Sequence, residues 1–130
     1  MYRWVEHTAE LELAIEASNE REVLEEALVA LAELLAARAD GAPSSRRVVV
    51  TAFDRPALLA GWLEELVFLA ESEGFVPTAV DSIELRDDGL EATVAGVIGD
   101  PPPLVKAVTY HRLAFEPALD GFVGRVVLDV

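Results

Sequence analysis

The sequence predicts an α+β fold, a mixed, largely antiparallel β-sheet with two amphipathic helices packed on it, and three observations lead there. Short stretches alternate apolar and polar residues with period two, as in Leu11, Leu13 and Ile15 against Glu10, Glu12, Ala14 and Glu16. Two long stretches instead repeat every 3.6 residues and carry helix start and stop signals. Asp87-Asp88-Gly89 separates two alternating runs and reads as a hairpin turn. The pattern shows no linker and no low-complexity tract, so residues 1–130 are expected to form one domain.

Tyr2 to Glu6 and Leu11 to Ala17 are expected as strands, and their phase points Glu10 away from the core. Asn19 followed by Glu22 resembles a capping box. The apolar residues from Val23 to Leu35 keep helical spacing, so the first helix is expected from about Asn19 to Arg38, ended by the Asp40-Gly41-Ala42-Pro43 turn. Arg47 to Phe53 is β-branched and reads as a strand. A second helix should start after Asp54, with Pro56 in its first turn, and stop at Gly74. Its stripe of Leu59, Trp62, Leu63, Leu66, Val67 and Ala70 is core. Val80 to Arg86 and Leu90 to Ile98 flank the hairpin turn, and Gly99-Asp100-Pro101-Pro102-Pro103 makes a rigid surface loop. Val105 to Phe115 and Phe122 to Val130 should then pair across a Glu116 to Gly121 turn, giving an order of roughly ββαβαβββββ.

Composition narrows the function. At 130 residues the chain is long enough to bury roughly two thirds of the surface its unfolded form exposes, and apolar residues at 52% with a mean hydropathy of +0.31 exclude disorder. Charges interrupt every apolar stretch well before the ~18 residues of a membrane span, so no membrane partner is expected. Glu6, Glu10 and Glu12 arrive too early for a secretory leader, and there is no cysteine for disulfides, thiolate metal sites or thiol nucleophiles. A cytoplasmic location fits both. With 24 acidic against 10 basic side chains the formal net charge is −14, a field that repels phosphate backbones and disfavours direct, tight nucleic-acid binding.

Common nucleotide, zinc-protease and serine-hydrolase signatures are absent, leaving three clusters with chemical potential. His7-Thr8-Ala9-Glu10 joins the first two strands. Lys106-Ala107-Val108-Thr109-Tyr110-His111 lies on a late strand and holds the sole lysine among ten basic residues, a compact ammonium that Arg cannot replace where one small donor must reach a phosphate or carboxylate. Chance placement of that lysine is the competing reading. Leu128-Asp129-Val130 puts a side-chain carboxylate beside the terminal carboxylate. With Glu10 added, these oxygens would suit a hard cation such as Ca²⁺ or Mg²⁺ rather than Zn²⁺ or copper. Against this stand an Asp129 that merely solvates a chain end, and a His7 and a His111 that are satisfied structural histidines.

At these residues the chain resembles the archease family. The resemblance rests on His7-Thr8-Ala9-Glu10, on Trp62 to Leu69 with Glu73-Gly74-Phe75, on Lys106 to His111 and on Asp129-Val130, in order along essentially the whole chain. It implies an archease-like fold and a non-catalytic activator of the tRNA-splicing RNA ligase, which joins a 3′-phosphate or cyclic-phosphate end to a 5′-hydroxyl using GTP and Mn²⁺. The activator's role would be to promote ligase guanylylation and turnover. The resemblance further implies a metal site at Glu10, Asp129 and Val130, holding Ca²⁺ with Mg²⁺ or Mn²⁺ as alternatives. It places Lys106, with His111 and His7, at the ligase or a phosphate. Glu10 stands where the family usually has Asp, a change that the flexible shell of Ca²⁺ tolerates better than Mg²⁺. Glu64 stands where Asn is common and adds a negative charge. Two other classes remain open: a stand-alone metal-dependent phosphoesterase or nucleotide hydrolase with His111 as general base, and a chaperone-like interaction module.

Overall fold

The structure is a computed structural model that describes residues 1–35 and 41–130. Seven strands and two helices follow in the order β1 (Tyr2–His7), β2 (Glu10–Ala17), α1 (Glu20–Leu34), β3 (Ala42–Thr51), α2 (Arg55–Glu73), β4 (Phe75–Arg86), β5 (Gly89–Ile98), β6 (Ala107–Ala118) and β7 (Gly121–Asp129). The α+β class is the one expected. Four strands follow α2, matching the four segments named from the sequence and one fewer than the rough order ββαβαβββββ counts, and they do not form one sheet. β1-β2-β7-β6 make a four-stranded sheet and β3-β5-β4 a three-stranded one, with every pairing antiparallel.

The helices hold the two sheets together. α1 packs against β2 and β4, and α2 against β3, β4 and β6, so each helix touches strands of both sheets. Their apolar stripes meet in one core in which Leu24, Leu28 and Leu31 of α1 and Leu59, Trp62 and Leu66 of α2 are fully buried. Trp62 also donates its indole N–H to the Leu24 carbonyl at 2.9 Å, which satisfies the only polar atom of a large buried side chain and ties one helix to the other. Of the six residues in the α2 stripe, Val67 alone is only partly buried.

Local signals set the helix ends. Asn19 Oδ1 accepts from Glu22 N at 2.9 Å, and the Glu22 carboxylate reaches back to Ser18 N at 3.3 Å, one residue earlier than in the usual capping box. Asp54 caps α2 through Ala57 N at 2.8 Å. Gly74 closes α2 in the left-handed region (φ 66°), where a Cβ would lie 2.6 Å from the Gly99 carbonyl oxygen, so the position requires glycine twice over. The expected end of α1 at Arg38, and Asp40 of the expected turn, lie outside the described residues.

Strand boundaries moved where burial or pairing outweighed local punctuation. β3 begins at Ala42 rather than Arg47, absorbing Pro43 of the expected turn. A proline is tolerated there because β3 is an edge strand. β4 begins directly after Gly74, five residues before the expected Val80, because Phe75 and Val76 are buried core residues. Its two register shifts, between Pro77 and Ala79 and between Val80 and Ser82, are what broke the alternation in the sequence. No helix of the described residues is long and apolar enough to cross a membrane.

Candidate functional site at the end of the four-stranded sheet

Three antiparallel registers line up one cross-strand row: His7 opposes Glu10, Glu10 opposes Asp129, and Asp129 opposes Ala107. Residues directly opposite in antiparallel strands share a face with Cβ atoms about 4.5–5.5 Å apart, so the Glu10 and Asp129 carboxylates are side by side on the sheet face away from the core. Main-chain bonds fix the next row. Val130 N donates to the Ala9 carbonyl at 3.1 Å and Lys106 N donates to the Asp129 carbonyl at 2.8 Å. The chain's last residue is thereby seated between the β1–β2 turn and the start of β6.

Ala9 sits in the left-handed region (φ 59°), which costs an L-residue roughly 1–2 kcal/mol. Its carbonyl is the acceptor for Val130, so the strained turn is the one that receives the chain end. Neither Glu10 nor Asp129 has an ion-pair partner among the described residues, and two facing carboxylates without one repel.

The residues expected to carry chemistry are therefore brought together with one exception. His7, Glu10, Lys106, Asp129 and Val130 converge on one end of the sheet. His111 does not. Thr109 pairs with Val127 and Ala114 with Arg125, so residues 110–113 bulge out opposite Val126, and His111 is exposed on that bulge outside the register. Among the described residues no group of three or more His, Asp or Glu side chains is placed to hold a metal ion. The side-chain donors at the row are the two carboxylates, an all-oxygen pair of the kind hard cations take, and a third oxygen would have to come from the main chain at Val130.

The bulge carries features that period-two reading missed. Arg112 adopts a left-handed conformation (φ 59°), accepts Arg125 Nε on its carbonyl at 2.8 Å, and brings its own guanidinium to Glu12 at 2.9 Å. Glu12 points away from the core as expected, yet it is only 6% exposed because the bulge lies over it. Glu12 Oε1 and Thr109 Oγ1 are both buried without a hydrogen bond; at Glu12 the guanidinium is close but not aligned, so the attraction is ionic. Glu12, Val127 and Thr109 form the cross-strand row immediately below Glu10, Asp129 and Ala107. Nothing in the local sequence marks Arg112 as the residue that covers Glu12. On the other side of the bulge, Tyr110 donates its hydroxyl to Glu64 Oε1 of α2 at 3.3 Å, and the Glu64 charge beside it, with partial desolvation, raises the phenol above its ordinary pKa.

Fold and site together define a small α+β protein with two helices between antiparallel sheets and a carboxylate pair where a chain end meets a strained turn. Residues 2–130 match the model of the Archease protein family, and the chain belongs to that family. Among relatives named Protein archease, that of Methanosarcina acetivorans is 29% identical, covering 99% of this chain and 95% of its own. That of Pyrobaculum neutrophilum is 30% identical, again over 99% and 95%. The solution structure of protein 1598 from Methanobacterium thermoautotrophicum has a TM-score of 0.76 at 28% identity, covering 99% of this chain and 98% of that one. The crystal structure of an archease from Thermotoga maritima, described as a possible chaperone, has a TM-score of 0.71 over 100% and 98% of the two chains; at 24% identity it speaks for the fold.

Proposed function

We propose that this archease is a cytoplasmic, non-catalytic activator of the tRNA-splicing RNA ligase, promoting its guanylylation and multiple turnover, with Glu10, Asp129 and Val130 as the site of a divalent cation, Ca²⁺ by preference. The observation that carries the reading is the Glu10–Asp129 pairing, with Val130 fastened to Ala9 and Lys106 fastened to Asp129 in the adjoining row. Without a countercharge that arrangement is mildly destabilising, so a protein that retains it has a use for the charge. Mg²⁺ or Mn²⁺ would suit the same oxygens, but Glu10 is one methylene longer than the family's usual Asp, which favours the adaptable shell of Ca²⁺.

When bound, the cation supplies charge neutralisation and coordination positions open to a partner's oxygens. The chain's own residues do the rest. Glu10 and Asp129 present their carboxylates outward on a sheet whose other face is core, and Ala9 holds the last residue in register. Lys106, exposed just before β6, offers an ammonium to a phosphate or a carboxylate of the ligase, and exposed His7 stands at the opposite edge of the same sheet end, on β1. His111 faces the partner from the bulge instead. The net charge of −14 leaves RNA to the ligase.

The test is ligase guanylylation over many turnovers with Glu10→Ala, Asp129→Ala and Lys106→Ala variants. Loss of stimulation beyond the first turnover is expected for each; wild-type stimulation by all three would end the proposal. A chaperone-like module is favoured by the description of the Thermotoga maritima relative and predicts that Asp129→Ala keeps full function. A stand-alone hydrolase is the weakest reading. Its general base would be His111, which sits on the bulge outside the row that carries the carboxylates.

A further inference from the structure

The α2 segment from Trp62 to Leu69 has two faces, and only one is explained by the core. Trp62, Leu63, Leu66 and Leu69 are buried, whereas Glu64, Glu65 and Phe68 point outward, with Phe68 more than half exposed. Positions 57, 61, 64, 65 and 68 lie at i, i+4, i+7, i+8 and i+11, a single stripe along the helix. The first four of these positions form one wall of a groove of about 780 Å³ between α2 and the end of β3, and Phe68 lies beyond it.

Its floor and lip are apolar. Ala57 and Gly61 line it from the helix, while half-exposed Val49 and fully exposed Phe53 line it from β3 and the loop that follows. A Cβ on Gly61 would come within 2.7 Å of the Val50 side chain, so glycine lets the helix lie close to the strand and shapes the groove. The rim is entirely acidic: Glu64 and Glu65 on one side, Asp87 and Asp88 of the β4–β5 turn on the other. No Lys or Arg lines the groove among the described residues. Tyr110, reaching from the β6 bulge to Glu64, closes the end nearest β6.

A fully exposed phenylalanine beside an apolar trough is a cost in water unless something covers it. A second copy of this chain would bring four more carboxylates onto four, which like-charge repulsion opposes. The complementary occupant carries apolar side chains flanked by Lys or Arg, and a protein that grips RNA presents basic surface to do so.

We propose that the α2–β3 groove is a docking surface for a basic amphipathic segment of the RNA ligase, with Phe53 as the apolar anchor and Glu64, Glu65, Asp87 and Asp88 as its charge complement. The inference rests on the ligase being the partner and adds where and by what chemistry it is held, away from the Glu10–Asp129 row. Apolar anchoring sets the lifetime of the complex, and the acidic rim sets the rate and salt dependence of its formation.

Phe53→Ser and the double variant Asp87→Lys/Asp88→Lys, all at exposed positions, are titrated against purified ligase by calorimetry at rising salt, alongside Ca²⁺ titration and guanylylation assays. Phe53→Ser is expected to weaken binding by about tenfold or more. The charge reversal is expected to weaken it and flatten its salt dependence. Both should keep wild-type Ca²⁺ affinity and regain full stimulation at saturating concentration, which separates docking from the carboxylate site. If wild type stimulates the ligase but both variants bind it within about twofold of wild type, the groove is not the docking surface and the proposed function stands. If wild type neither binds nor stimulates the ligase, the proposed function fails and this inference with it. Concentration-dependent dimerisation that Phe53→Ser abolishes while ligase binding is unchanged would assign the groove to a second copy and overturn the proposal.

Discussion

The two sheets of this protein are built to different standards. In the three-stranded sheet the charges sit in exposed or half-exposed pairs, Arg47 and Arg86 with Glu91 and Arg46 with Glu73, and no described non-glycine residue has a left-handed backbone. The four-stranded sheet holds both left-handed non-glycine residues, Ala9 and Arg112, and both buried side-chain oxygens that lack a hydrogen bond. It also holds the unneutralised Glu10–Asp129 pair. Local rules are kept in the sheet that serves as support and broken in the one that carries the candidate site, the distribution expected when strain is retained for use.

The comparison breaks most visibly at the element both sheets share. Trp62→Ala should cost about 4 kcal/mol in chemical denaturation, since it opens a cavity between α1 and α2 and removes the indole hydrogen bond to the Leu24 carbonyl. That cost belongs to neither sheet. Arg112→Ala should cost about 2 kcal/mol, because Glu12 stays buried without its countercharge; the figure is moderate for a buried pair since Arg112 is itself half exposed. Arg47→Ala, the matching change in the three-stranded sheet, should cost about 0.5 kcal/mol or less. Equal costs for the two arginines would erase the contrast.

Smaller effects test the strained end directly. Asp129→Asn should stabilise the metal-free protein by up to about 1 kcal/mol by removing the repulsion with Glu10, and should abolish any rise in Tm on adding Ca²⁺. A variant that is less stable than wild type without metal would mean the pair is not repulsive. Ala9→Gly should gain at most about 1 kcal/mol, the left-handed strain less the added chain entropy. The pH dependence is smallest and comes from Tyr2. Its hydrogen bond to the Glu33 carboxylate, with desolvation and that same charge, pushes the phenol up to about 12. The folded pKa lies above the unfolded value of 10, so this stabilisation is complete below pH 10 and is lost as pH rises toward about 12. Tyr2→Phe should remove that part of the alkaline decline, read by denaturation across the window and by tyrosinate absorbance.

What was legible in the sequence follows physical lines. Capping at Asn19 and Asp54, the Gly74 stop and the Asp87-Asp88-Gly89 hairpin rest on interactions within a few residues, and each stands where expected. Elements governed by distant partners shifted. β4 starts early because Phe75 and Val76 have a core to fill, and its bulges scramble the alternation that would have revealed it. Among the site residues, His7 and Glu10 are a hairpin apart and Asp129 and Val130 are neighbours, but their union depends on β7 entering the sheet between β2 and β6. His111 was grouped with Lys106 by proximity along the chain, and the four-residue bulge separates them.

The class of elements, their caps, the apolar faces of both helices and the strong negative charge can all be read along the chain, because propensity, periodicity and composition act over at most a few turns. Tertiary structure alone decided that the strands divide into two sheets, that an outward-pointing Glu12 is covered, and that residues more than a hundred positions apart face each other at one sheet end. Register and bulges are fixed by which strands find each other across the core, and that choice is a property of the whole packed molecule, written in no single stretch of it.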